Sequence, residues 1–194
     1  MTHEGFNIEL TLDEKTGIIY GGNSWNCLTW MDKMGSSEKA GIKGVPGSSR
    51  DGAPIEMTAL LKSGLDFVIA ANQKGHFEHK GVQTKSGSVL SFIDWAARIQ
   101  ENFEKYYWIP EEKEDFKNYH LNEQAVRRRG IYKDTVGSIG ERQDYYFRPN
   151  GCVAMHVAPS LFNRENAVKY LEKVEALLIV EIFYEFSRVL IILE

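Results

Sequence analysis

Between residues 21 and 52 the chain settles into no sustained apolar period, and it is rich in glycine. A stretch of that length can only be a long loop, held by what flanks it. Inside a compact domain such a loop is functional or disordered. It carries chemistry throughout. Gly21-Gly22-Asn23-Ser24-Trp25-Asn26-Cys27 leads into Thr29-Trp30-Met31-Asp32-Lys33-Met34-Gly35, and Arg50-Asp51-Gly52 and Glu56 follow. Aromatic faces take the C–H faces of a sugar, while amides and carboxylates take its hydroxyls. If Asp32 is partly buried against Trp30, its carboxyl pKa is expected to rise above the usual value of about 3.9. A carboxyl kept protonated near neutrality serves as a general acid on a glycosidic oxygen. The plain alternative is a core edge beside a surface acid.

The flanks are periodic. Phe6, Ile8, Leu10 and Leu12 alternate with Asn7, Glu9 and Thr11, which predicts a strand. Asp13-Glu14-Lys15-Thr16-Gly17 supplies a turn and Ile18-Ile19-Tyr20 a second strand, giving a small hairpin. After the loop, Pro54 suits a first helical turn. Ile55, Thr58, Ala59, Leu61, Leu65, Val68 and Ile69 recur at helical spacing up to a stop at Gly75. A second helix is expected over 90–107, with Phe92, Trp95, Ala96, Ile99, Phe103 and Tyr106 on one face and Ser91 as N-cap. A third starts from Asn163 and runs through Ala167, Tyr170, Leu171 and Val174. The charged stretch 110–124 reads as a solvated surface excursion.

Composition narrows the function. With 194 residues, 43% hydrophobic and 26% charged, the chain has the balance of a soluble globular protein long enough to bury a core. A formal net charge of −4 disfavours nucleic acid as a partner. Cys27 and Cys152 match no metal or redox spacing and fit free thiols in a reducing compartment, and no signal peptide opens the chain, so the cytoplasm is the expected location. The five histidines show no metal spacing, and no cofactor is called for. Arg127-Arg128-Arg129 with Lys133 suggests phosphate or nucleic acid, against which stands a solvated turn facing the acids of 111–115. Gly130-Ile131-Tyr132-Lys133-Asp134 places Tyr132 and Asp134 where they could line a cleft. Asp144-Tyr145-Tyr146-Phe147-Arg148-Pro149-Asn150 is a second aromatic and polar cluster, with Arg148 extended before proline.

The long run from Tyr20 to Gly35 resembles the glucosidase half of eukaryotic glycogen debranching enzymes. The resemblance continues through Ser37 to Pro46, Arg50 to Glu56, Gln100 to Lys105, Arg129 to Asp134, Arg148-Pro149-Asn150 and Val157 to Phe162, an ordered series over about residues 6–178. It implies a mainly α fold: part of an (α/α)6 toroid of the glucoamylase-like type, with the small N-terminal hairpin and long active-site loops. It implies inverting amylo-α-1,6-glucosidase activity on the glucose left at glycogen branch points, with glycogen or limit dextrin as partner. Asp32 becomes the general acid. Trp30, Arg50, Asp51, Glu56, Arg148 and Asn150 become sugar contacts.

Two departures bear on that expectation. The family's Pro-Ala-Thr-Pro-Arg-like run is here Pro46-Gly47-Ser48-Ser49-Arg50, a looser backbone. Past Leu178 the family pattern gives way to a divergent apolar tail, 179–194. The resemblance puts the general base beyond that point, so the chain by itself is expected to be inactive. A non-catalytic α-glucan-binding fragment is the alternative. The tail's length is near that of a membrane span, but Glu181, Glu185 and Arg188 interrupt it, so a helical end covering the core is the preferred reading over a membrane segment.

Overall fold

The computed structural model describes residues 9–23, 29, 35–47, 50–140 and 142–179. Residues 6–8 of the expected first strand, Trp30 and Asp32 of the loop, Cys27, and the tail from 180 onward lie outside the described residues.

The N-terminal hairpin forms as β1 (Thr11–Leu12) against antiparallel β2 (Ile19–Tyr20). Asp13 builds its turn: one carboxylate oxygen accepts from the Lys15 N–H at 3.0 Å, the other from the Thr16 hydroxyl at 2.8 Å. Gly17 takes φ +75° at the end of the turn, and its carbonyl accepts from Trp95 Nε1 at 2.7 Å. The hairpin is thus docked on the second helix.

Strand β3 (Ala53–Pro54) leads directly into helix α1 (Ile55–Gln73). Pro54 is not in the first helical turn as expected. It is the extended residue before it, with φ −64° and ψ 140°, paired with Thr135. Strand pairing holds it extended, and the fixed proline φ is compatible with that. A hairpin of β4 (Gly81–Gln83) and β5 (Val89–Ser91) then precedes helix α2 (Phe92–Tyr107). Ser91 caps α2 as the sequence predicts, accepting from the Asp94 N–H at 3.0 Å. The buried face of α2 is Ala96, Ile99, Phe103 and Tyr107, a 3–4 spacing.

Strand β6 (Trp108–Ile109) ends α2 and pairs antiparallel with β7 (Ile131–Tyr132). Three residues on, β8 (Thr135–Val136) pairs with β3. Residues 131–136 therefore run as a crosspiece between the end of α2 and the start of α1. Within the charged excursion, residues 113–118 form a 3-10 turn whose Phe116 is buried, so the excursion is anchored rather than wholly solvated. Helix α3 (Asn150–Val157) packs on α1 and was not foreseen. Its eight residues are too few and too uniformly apolar or small to show a period. Helix α4 (Arg164–Val174) begins where Asn163 caps it, its side chain accepting from the N–H groups of Glu165 and Asn166 at 2.9 and 3.2 Å.

Helices α1, α2 and α3 surround a core that joins Ile55, Ala59, Ile99, Phe103, Ile109, Ile131, Ala154 and Leu161. Phe103, Tyr132, Phe162 and Tyr170 stack edge-on or tilted, with centroids 4.8–6.2 Å apart. Phe67 and Ile93 stay exposed, at 75% and 61%. The described residues thus combine helices with four small two-stranded sheets. None of their helices is long and apolar enough to cross a membrane.

Candidate functional site

Asp134 sits at the bend of the crosspiece, between β7 and β8, and three side chains converge on it. Arg50 donates from Nε to Oδ2 at 2.8 Å and from Nη2 to Oδ1 at 3.0 Å. Arg148 donates from Nη1 to Oδ2 at 2.8 Å. Asn150 Nδ2 donates to Oδ1 at 2.8 Å. The other edge of the Arg50 guanidinium is taken by Glu56, through Nη2 to Oε2 at 2.8 Å and a second bond from Nη1 to Oε1. Two guanidinium groups thus face two carboxylates, and the charges balance.

Each of these side chains reaches the hub for a local reason. Gly52 takes φ +84°, and a Cβ there would lie 2.5 Å from the Val136 carbonyl oxygen. Only glycine lets the Arg50-Asp51-Gly52 backbone approach β8 so closely. Gly52 and Gly21 also exchange N–H to carbonyl bonds at 2.8 and 2.9 Å. Glu56 lies in the first turn of α1, and its carboxylate is favoured by the helix N-terminus. Asn150 opens α3, and Tyr170 of α4 donates to the Arg148 carbonyl at 2.8 Å.

Burial separates the members. Arg50 and Glu56 are fully buried, Asp134 and Asn150 nearly so, while the Arg148 side chain is 23% exposed. An isolated charge would not survive there; a paired and fully hydrogen-bonded one does. The Arg50 guanidinium is raised above its ordinary value: burial opposes the charge, and the hydrogen bonds and charges of Glu56 and Asp134 outweigh it. The Arg148 guanidinium also lies over the Tyr146 ring, 5.0 Å from its centroid.

Asp51 stands beside the hub and faces the other way. Its Oδ2 accepts from the Ile139 N–H at 2.6 Å, and its carbonyl from the Ser138 hydroxyl at 2.9 Å. Asp144 holds the same turn from within, accepting from Thr135 Oγ1 and the Gly137 N–H at 2.8 Å and from the Ser138 N–H at 3.1 Å. Of the sequence candidates, the structure brings Arg50, Glu56, Arg148 and Asn150 together around Asp134. Asp51 adjoins them, and Trp30 and Asp32 lie outside the described residues. The centre of the cluster, Asp134, was legible only as a residue that could line a cleft. Nothing in its immediate sequence announces two arginines, one of them 84 positions away.

Arg50 has one more partner of consequence. Its Nη1 donates to Thr29 Oγ1 at 3.3 Å. Thr29 stands immediately before Trp30 and three positions before Asp32. Among the described residues no group of three or more His, Cys, Asp or Glu side chains is placed to hold a metal ion.

A family described as amylo-alpha-1,6-glucosidase matches residues 2–181. Glycogen debranching enzyme of Saccharomyces cerevisiae is 49% identical over 170 residues, covering 87% of this chain and 11% of the yeast protein. The chain therefore spans about a tenth of the length of that relative. The family match embraces the hub, the loop before it and the helices that carry it, and the chain belongs to the amylo-alpha-1,6-glucosidase family.

Proposed function

We propose that this chain carries the acid-bearing part of a glucosidase that removes α-1,6-linked glucose from branched, limit-digested glycogen, with inversion. Asp32 is the proton donor to the glycosidic oxygen. Trp30 gives the sugar ring an apolar face, and Arg148, the hub member with solvent access, reaches its hydroxyls. Arg50, Glu56 and Asn150 serve the site by fixing Asp134 and, through it, Arg148. Asp51 braces the turn at Ser138 and Ile139 beside them. The helices belong to an (α/α)6 toroid, and two thiols with a storage-glucan substrate fit the cytosol.

The observation that carries the reading is the Arg50–Thr29 hydrogen bond. It joins a charge-balanced, buried hub to the segment that bears Trp30 and Asp32, inside a family match covering residues 2–181. Inversion requires a second carboxylate about 6.5–9.5 Å from the acid, to activate water on the opposite face of the sugar. Glu56, Asp134, Asp51 and Asp144 are committed to guanidinium, hydroxyl or backbone donors, so none of them is assigned that role.

The test is glucose release from a branched limit dextrin by this chain joined to the remainder of the family's glucosidase region, and by the same protein with Asp32→Asn, with dextrin binding measured in parallel. Turnover that falls by about a thousandfold or more in the variant, with binding kept, supports the assignment. Turnover unchanged by the substitution overturns it. Dextrin binding without turnover is the outcome expected of the 194-residue chain alone, since none of its described acids is assigned the base's role.

A further inference from the structure

A cavity of about 450 Å³ opens on the face formed by residues 125–128, 142–147 and the end of the last helical turn, with Leu177 and Leu178 in its wall. That size suits one small ligand. Three arginines line it: Arg127, Arg128 and Arg142, all exposed. Tyr145, Tyr146 and Phe147 supply aromatic surface, with Tyr146 at 47% exposure. No carboxylate is among the described residues that line it. In a chain of net charge −4, three guanidinium groups around one hollow run against the general balance.

The ligand's chemistry follows from those walls. A neutral sugar asks for carboxylate and amide partners, and neither is present among the described lining residues. Guanidinium groups match the oxygens of a phosphate through paired N–H donors. Arg128 is already fixed over the Phe147 ring, 5.0 Å from its centroid, so less side-chain freedom is lost on binding. The rings and leucines offer an apolar face to the body that carries the phosphate.

We propose that this cavity binds a phosphomonoester carried on a body with an apolar face, such as a hexose phosphate or a mononucleotide. The site is separate from the Asp134 hub: no hub residue lines it, and the proposal does not depend on the glucosidase reading. Tyr146 nevertheless adjoins both, since its ring lies under the Arg148 guanidinium.

Isothermal titration of the 194-residue chain with glucose 6-phosphate, AMP, inorganic phosphate and glucose tests it. One of the two esters is expected to bind with Kd below about 1 mM, and inorganic phosphate and glucose at least about tenfold more weakly. The tighter ester identifies the source of the phosphate. Arg128→Gln combined with Arg142→Gln is expected to weaken the ester about tenfold or more, with unchanged circular dichroism because both side chains are exposed. Tyr146→Ala is expected to weaken the ester and leave inorganic phosphate unaffected. Failure of both esters to bind, equal binding of inorganic phosphate, or native affinity in the double variant overturns the proposal.

Discussion

Asp134 accepts from two guanidinium groups and an amide, with almost no access to water. Removing one partner of such a pair costs more than the pair contributes, because the other charge stays buried. Asp134→Ala is therefore expected to lower stability by about 3–5 kcal/mol, measured by urea denaturation. A loss under about 1 kcal/mol would show that water replaces the carboxylate and that the hub does not hold the fold. Arg50 and Glu56 are each legible in the sequence as polar candidates at the end of the glycine-rich loop. Their meeting with Asp134 is not, because only the folded crosspiece brings it to them.

At the scale of elements, the caps and faces follow from local rules. Ser91 and Asn163 cap helices where the sequence places them, because an N-cap needs only its own next three residues. Helix α3 escaped because it is short and its stability comes from packing on α1. The contact of Gly52 with β8 is a further tertiary feature, one that no local propensity encodes. Gly52→Ala combines positive φ with a Cβ 2.5 Å from a carbonyl oxygen. The expected cost is at least about 2 kcal/mol, from left-handed strain and the displacement of β8 together. Thermal unfolding of the variant measures it. An unchanged midpoint would mean that the close approach of residues 50–52 to β8 is dispensable.

Over the whole molecule, buried titratable groups shape the response to pH. Lys133 is 2% exposed, and burial pushes its ammonium down to about 8, opposed only in part by Asp144. Its folded pKa lies below the unfolded value of about 10.4, so the unfolded chain binds more protons between the two, and stability rises with pH across that window. Tyr20, Tyr132 and Tyr170 act in the opposite sense. Burial raises each above the ordinary phenol value, so the unfolded chain loses protons first and stability falls above about pH 10. Urea midpoints from pH 7 to 11 are expected to peak between about 9 and 10. Lys133→Met is expected to abolish the rising limb and keep the falling one. A rising limb that persists in the variant would assign it to another group.

The sequence by itself determined what depends on near neighbours: the N-terminal hairpin, three of the helices and the N-caps of two of them, the absence of a helical period through 21–52, and the residues that carry the family resemblance. Hydrogen-bond caps and apolar periods act over a few residues, so they are written where they operate. The tertiary structure alone decided that residues 131–136 bridge α2 and α1, and that Arg50, Glu56, Arg148 and Asn150 are gathered by Asp134. Arg50 and Asp134 are 84 positions apart along the chain. Burial without water is what forces them to meet, since each is too costly to leave unpaired.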